Sequence, residues 1–214
     1  MSPDQLAQAI ADGCAELGQQ PDVEQQQKYA RLLLELERWG AKVNLTAIRN
    51  LDEMVSGHLL DSLAVRPQLH GSEIIDIGTG AGFPGLPLAI AEPAKHFVLL
   101  DSNGKKIAFV QHMVTLLGLK NVTATRSRAE NYAPGRTFDT VIARALATIP
   151  RIIDVGGHLV GEKGIVLALK GKYPAAELEQ TQALPDQWQA TVDEIEVPGL
   201  EQHARHVVRL ERKD

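Results

Sequence analysis

Apolar residues recur at helical spacing through Tyr29, Leu32, Leu33, Leu36, Trp39 and Val43, so that one side of this stretch must be covered by the rest of the chain. Just upstream, Pro21-Asp22 followed by Gln25 supplies a start signal, because a capping carboxylate accepts free N–H groups and a Gln three residues on bonds back. A second helix is predicted over residues 51–65, ending before Pro67. Residues 1–68 are therefore expected to form a mostly helical extension.

From Glu73 the period changes. EIIDI, a glycine turn with PGLPLAIAE, HFVLLD and GKKIAFVQHMVTLLG alternate short apolar runs with helix-length segments, the pattern of parallel βαβ units. Further strands are predicted at residues 122–125, 138–143 and 164–170. The final stretch breaks the repeat: TVDEIEVPG and HARHVVRLERK are two alternating segments joined through Pro198-Gly199, which predicts a strand pair. The fold class expected is α/β, a doubly wound, mostly parallel sheet over residues 69–214 with an antiparallel C-terminal strand. Residues 1–68 are expected to pack on it as part of one structural unit.

Composition changes this picture little. Hydrophobic residues make up 44% and charged residues 23% of the 214, ordinary for a soluble chain. No apolar run reaches the roughly 20 residues that a membrane helix needs. The acidic N-terminus does not resemble a secretory signal, so a cytoplasmic protein without a membrane partner is expected. Cys14 is the only cysteine and a helix residue, which leaves no intrachain disulfide and no cysteine-based zinc site; no metal is expected.

Charge changes more. The net charge of −5 argues against a nucleic-acid partner, but residues 101–172 carry 11 basic and 5 acidic side chains, +6, against −11 for the remainder. A basic segment on an acidic chain is the footprint of a nucleic-acid face if the fold gathers those residues.

The chemistry concentrates at IIDIGTGAGFPG. Gly78, Gly80 and Gly82 follow Asp76, and a strand-to-helix turn needs glycine where a ligand must lie against main-chain N–H groups. Gly80, Gly82 and Gly85 also satisfy the dinucleotide pattern, which alone is a weak signal. Asp76 separates the two readings, since a carboxylate there attracts a cationic methionine head group and repels a pyrophosphate. Asp101, which ends HFVLLD one βαβ step later, is placed to accept hydrogen bonds from ribose hydroxyls in either reading. Both acids otherwise serve as helix caps. An antiparallel hairpin added to a parallel sheet is itself characteristic of nucleoside-dependent methyltransferases.

NLTAI at 44–48, HLLDSL at 58–63, DIGTGAGFPGLPLAI at 76–90, RAE at 128–130, ARA at 143–145 and LALKG at 167–171 span nearly the whole chain. On these segments it resembles the ribosomal small-subunit guanine-N7 methyltransferase family, also called glucose-inhibited division protein B. The resemblance implies S-adenosylmethionine as cofactor and 16S rRNA as partner, within the small ribosomal subunit or an assembly intermediate. It implies cofactor contacts at Gly78, Phe83, Ala129, Glu130 and Arg144. In that setting Glu130 can accept from the adenine amino group, or else pair with Arg126 or Arg128. Phe83 is equally suited to anchoring the core.

Guanine N7 carries a lone pair and no proton, so orientation and desolvation suffice and no general base is expected. Pyrimidine C5 chemistry is disfavoured because Cys14 lies far upstream of the cofactor motifs. Amino methylation is disfavoured because IARALATIP stands where an Asn/Asp-Pro-Pro-aromatic motif is typical. Arg144 is the expected positioning residue, suited to guanine O6, a phosphate or the cofactor carboxylate. Arg128, Lys170 and Arg209 are candidate RNA contacts, with ion pairing as the plain alternative. Asn44, His58 and Asp61 belong to the matching motifs without an assigned chemistry. Three alternatives stay open: a small-molecule methyltransferase, a non-catalytic ribosome-binding protein and an NAD-dependent oxidoreductase. A monomer is expected.

Overall fold

In the computed structural model of the chain, residues 1–40, 43–182 and 188–213 are described. Among the described residues, seven strands make one sheet: β1 (Glu73–Ile77), β2 (His96–Asp101), β3 (Val122–Arg126), β4 (Phe138–Arg144), β5 (Val160–Lys170), β6 (Trp188–Glu194) and β7 (His206–Arg212). Their order is β3-β2-β1-β4-β5-β7-β6. β1 pairs in parallel with β2 and β4, and only β7 runs against its neighbours, Leu167 of β5 facing Arg209. The expected doubly wound sheet with its antiparallel C-terminal strand is present. The strand order reverses beside β1, and ligands of such sheets bind at the carboxyl ends of the strands where that happens.

Alternate residues of each central strand enter opposite cores, as the period of two requires. Ile74, Leu99, Ile142 and Leu167 face one side; Ile75, Leu100, Val141 and Val166 face the other. Helices α4 (Gly85–Ala91) and α5 (Gly104–Leu116) cover the first face together with the N-terminal helices α1 (Pro3–Glu16) and α2 (Val23–Gly40). Leu6 and Ile10 of α1 and Leu33 and Leu36 of α2 lie in the same continuous core as Ile74 and Leu99. Full burial of each such side chain is worth about 1.5–3 kcal/mol, which binds these helices firmly to the sheet. Ser2 starts α1 with a capping box to Gln5. Cys14 is buried on α1, and burial pushes its thiol up to about 11, so it stays protonated at neutral pH.

Two local features depart from the pattern in the sequence. The helix expected over residues 51–65 is one continuous element, α3 (residues 51–63), but its middle is π-helical: Leu51–Met54 is α, Val55–Leu60 is π and Asp61–Leu63 is α again. Two short helices, α6 (Ile149–Gly156) and α7 (Ala175–Gln182), follow β4 and β5. The first puts Ile149, Ile152 and Ile153 into the second core. β5 also begins four residues before the predicted strand, because Val160 pairs with Phe138 before the register shifts.

Candidate active site

β1 ends at Ile77, and the next seven residues turn at the carboxyl edge of the sheet. Gly78, Gly80 and Gly82 have φ of +68°, +62° and +89°, a region that L side chains rarely adopt. The turn is braced from both sides. Asp76 lies fully buried beneath it, and its Oδ2 accepts from the Thr79 hydroxyl at 2.6 Å and the Gly85 N–H at 3.0 Å. Asp101 accepts from the Gly80 N–H through Oδ2 at 2.9 Å and from the Asn103 N–H through Oδ1 at 2.8 Å. Both acids thus hold backbone, and Asp76 stands behind the turn, not on the cavity wall. Its Oδ1 is buried with no partner, and burial raises the carboxyl to about 6 against the pull of Thr79 and Gly85. Thr79, Gly85 and the Arg144 charge favour its ionised form against that burial, which leaves negative charge below the turn.

A cleft of about 560 Å³ opens in front of Gly78 and Gly80. Its opposite wall is built from side chains of α3, the end of β4 and the approach to β7. Asp61 accepts from Arg144 Nη1 through Oδ2 at 2.9 Å and from Arg205 Nε through Oδ1 at 2.8 Å. The Arg144 guanidinium carbon lies 5.9 Å from the Phe83 ring centre, and the His58 ring lies 5.0 Å from the same centre at 30° between planes. Phe83 is buried yet borders the cleft, so it serves as both core anchor and wall. His58 Nε2 is 2.7 Å from the Thr46 hydroxyl; burial, then the Arg144 charge, lowers its pKa to about 4, so the ring is neutral. Ala145, directly after Arg144, has φ of +50°, an unusual conformation for a residue with a Cβ.

Four cations border the cleft, Lys106, Arg144, Lys170 and Arg205, against one carboxylate, Asp61. The cavity therefore favours an anionic guest. Lys170 does not project freely into it: Nζ contacts Glu177 at 2.8 Å and donates to the Ala147 carbonyl at 2.7 Å, bracing the loop after Arg144. Arg209, a second candidate RNA contact, lies outside the cleft lining and pairs along its own strand with Glu211 at 2.8 Å. Arg128 is exposed; its Nη1 is 3.9 Å from Glu130, which is also 3.9 Å from Arg151. Ala129 and Glu130 form a short 3-10 turn after β3, beside the strand that ends in Asp101. They lie outside the cleft lining, on the same carboxyl edge of the sheet. Asn44 accepts from Arg49 at 3.2 Å. Sequence reasoning missed Thr46, Lys106 and Arg205. Thr46 lay within the NLTAI segment and Lys106 two residues into the helix after Asp101, whereas Arg205 had no local signal.

Sheet order, turn and paired strand-end acids together define a class I S-adenosylmethionine-dependent methyltransferase, the class to which solved structures of the same fold belong. A methyltransferase from Geobacter sulfurreducens superposes with a TM-score of 0.60 at 13% identity, covering 86% of this chain and 90% of that one. A SAM-dependent methyltransferase from Aquifex aeolicus gives 0.56 at 20% identity, covering 74% and 92%. The family model for rRNA small subunit methyltransferase G matches residues 23–208, and the chain belongs to that family. A relative of Idiomarina loihiensis named ribosomal RNA small subunit methyltransferase G is 47% identical over 179 residues, 83% of this chain and 85% of that protein.

Proposed function

We propose that this protein transfers the methyl group of S-adenosylmethionine to N7 of a guanine in 16S rRNA. It would act in the cytoplasm, as a monomer, on the small ribosomal subunit or an assembly intermediate. The observation that carries this reading is the cleft itself, which sets Lys106, Arg144 and Arg205 against one carboxylate directly in front of a methyltransferase glycine turn, Lys170 being paired with Glu177. An anionic polymer suits that balance better than a neutral metabolite does.

The residues fit the cofactor. The partnerless Asp76 Oδ1 leaves a negative charge beneath the turn, which favours a cationic guest above it. Gly80 leaves the backbone open to close approach, and Asp101 at the end of β2 is the acceptor offered to ribose hydroxyls in this reading. Ala129 and Glu130 follow the next strand at the same edge of the sheet, and in this reading they meet the adenine. Bound S-adenosylmethionine supplies an electrophilic methyl on a sulfonium.

The chain's own residues then bind, orient and exclude water. Guanine presents N7 and O6 as neighbouring acceptors, where adenine has a donor in place of O6. Arginine donors at Arg144 and Arg205 match O6 or a flanking phosphate and leave the N7 lone pair uncovered. N7 loses no proton, and the neutral, Thr46-bonded His58 accordingly has none to take.

Radiolabelled methyl transfer to small subunits from a strain lacking the gene, followed by nucleoside analysis, tests the reading. Labelled 7-methylguanosine is expected. Labelling of another nucleoside, or none despite cofactor binding, overturns it.

A further inference from the structure

The segment HLLDSL supplies Asp61, a residue with no part in the chemistry described so far. Its carboxylate is buried, with 10% of the side chain exposed, and each oxygen accepts from a different arginine. Those arginines come from separate parts of the fold: Arg144 ends β4, and Arg205 precedes β7. Charge-assisted bonds of this kind are short and directional. Here they fix two long side chains that would otherwise sample many rotamers.

Placement of the carboxylate depends on the π-helical turn. Leu59, Leu60 and Leu63 remain in the core at 0%, 3% and 0% exposure, while Asp61 between them turns to the cleft. A π turn accommodates one more residue than an α turn, is intrinsically less favourable, and recurs where a side chain must be re-aimed at a functional site. The turn at Val55–Leu60 ends immediately before Asp61.

Five N–H donors belong to each guanidinium. Arg144 uses Nη1 on Asp61, and Arg205 uses Nε on Asp61 and Nη1 on the Ala204 carbonyl at 3.1 Å. Further donors remain on both at the cleft, those of Arg144 beside Phe83. One carboxylate shared by two guanidiniums leaves a net positive charge at the cleft.

We propose that Asp61 is a positioning residue: it locks Arg144 and Arg205 in one orientation, so that their remaining donors meet the acceptors of the target guanine and its phosphate in register. This rests on the methyl-transfer reading above. Asp61 does not touch the reacting atoms; it acts through the two arginines.

The test uses the full chain, small subunits lacking the modification, and D61N, which keeps the shape and removes the charge. Expected is a fall in kcat of about 10- to 100-fold, as for a misplaced orienting group, with KM and S-adenosylhomocysteine affinity each within about threefold of wild type. Combined with R205Q, D61N should cost less than the product of the two separate losses, since the part of its effect that runs through Arg205 is already gone while the part through Arg144 remains. The NMR signal of Arg205 Nε–H, which is bonded to Asp61, should be slow to exchange in the wild type and lost in D61N, whether or not turnover is observed. A wild type without transfer but with this NMR difference overturns the methyl-transfer reading alone. Unchanged kcat in D61N, independent losses in the double variant, parallel loss of cofactor affinity, or an unchanged Arg205 signal overturns the positioning role.

Discussion

The two walls of the cleft are built by different means. One is main chain: Gly78 and Gly80 in left-handed conformations, in a turn held by Asp76 and Asp101 through backbone N–H groups. The other is side chain: His58, Asp61, Arg144 and Arg205 converge from three separate elements. A backbone wall offers the same donors whatever surrounds it, and suits a cofactor shared by a whole class of enzymes. A side-chain wall can be re-specified residue by residue, and suits the substrate that distinguishes one member from another.

If the walls are separable, Arg144→Met should produce the largest effect: about a 1000-fold loss of kcat, near 4 kcal/mol. Cofactor affinity, measured by calorimetry with S-adenosylhomocysteine, should change by less than about tenfold. Equal losses in both would break the comparison and make Arg144 part of the cofactor wall.

Next in size is a pH effect from His58. Its folded-state pKa of about 4 lies below the ordinary 6.5, so between those values the unfolded chain binds more protons, and falling pH lowers stability. Asp76 acts in the opposite sense, because its folded value near 6 exceeds the ordinary 3.8 and falling pH favours the folded chain across that window. The two slopes oppose each other where they overlap. His58→Gln removes the first, and urea unfolding at pH 7 and pH 4.5 should show the variant gaining up to about 3 kcal/mol relative to wild type on acidification. Parallel curves would mean that the ring is not held neutral.

Asp101→Asn probes the main-chain wall. Replacing a charged acceptor of two N–H groups should weaken cofactor binding about 30-fold, roughly 2 kcal/mol, with kcat at saturating cofactor little changed. The smallest effect is expected from Arg209→Gln, which removes an ion pair along β7 worth less than about 0.5 kcal/mol. Methylation rates on small subunits should match wild type, and a clear loss would return Arg209 to the RNA surface.

The same division explains what was legible in the sequence. The switch of period at Glu73, the glycine turn and the strand pair around Pro198-Gly199 are local, and each announces an element of the observed sheet. Asp76 and Asp101 were legible as strand-end acids for the same reason. The side-chain wall was not, because its bonds join residues 83 and 144 positions apart, which only closure of the fold brings together. Lys170 shows the converse: a cation at a strand end suggests a free contact, whereas Glu177 on α7 has already paired with it. The π turn of α3 left no mark, since a helix with one wider turn keeps nearly the same apolar spacing.

β7 follows β6 along the chain yet inserts inward of it, between β5 and β6. During synthesis, the sheet must therefore wait with β5 as an open edge until the later strand emerges to close it. Arg205 arrives on that same segment, one residue before β7. A nascent chain still lacking β7 thus also lacks half of the arginine pair, so the side-chain wall of the cleft is completed no earlier than the sheet itself.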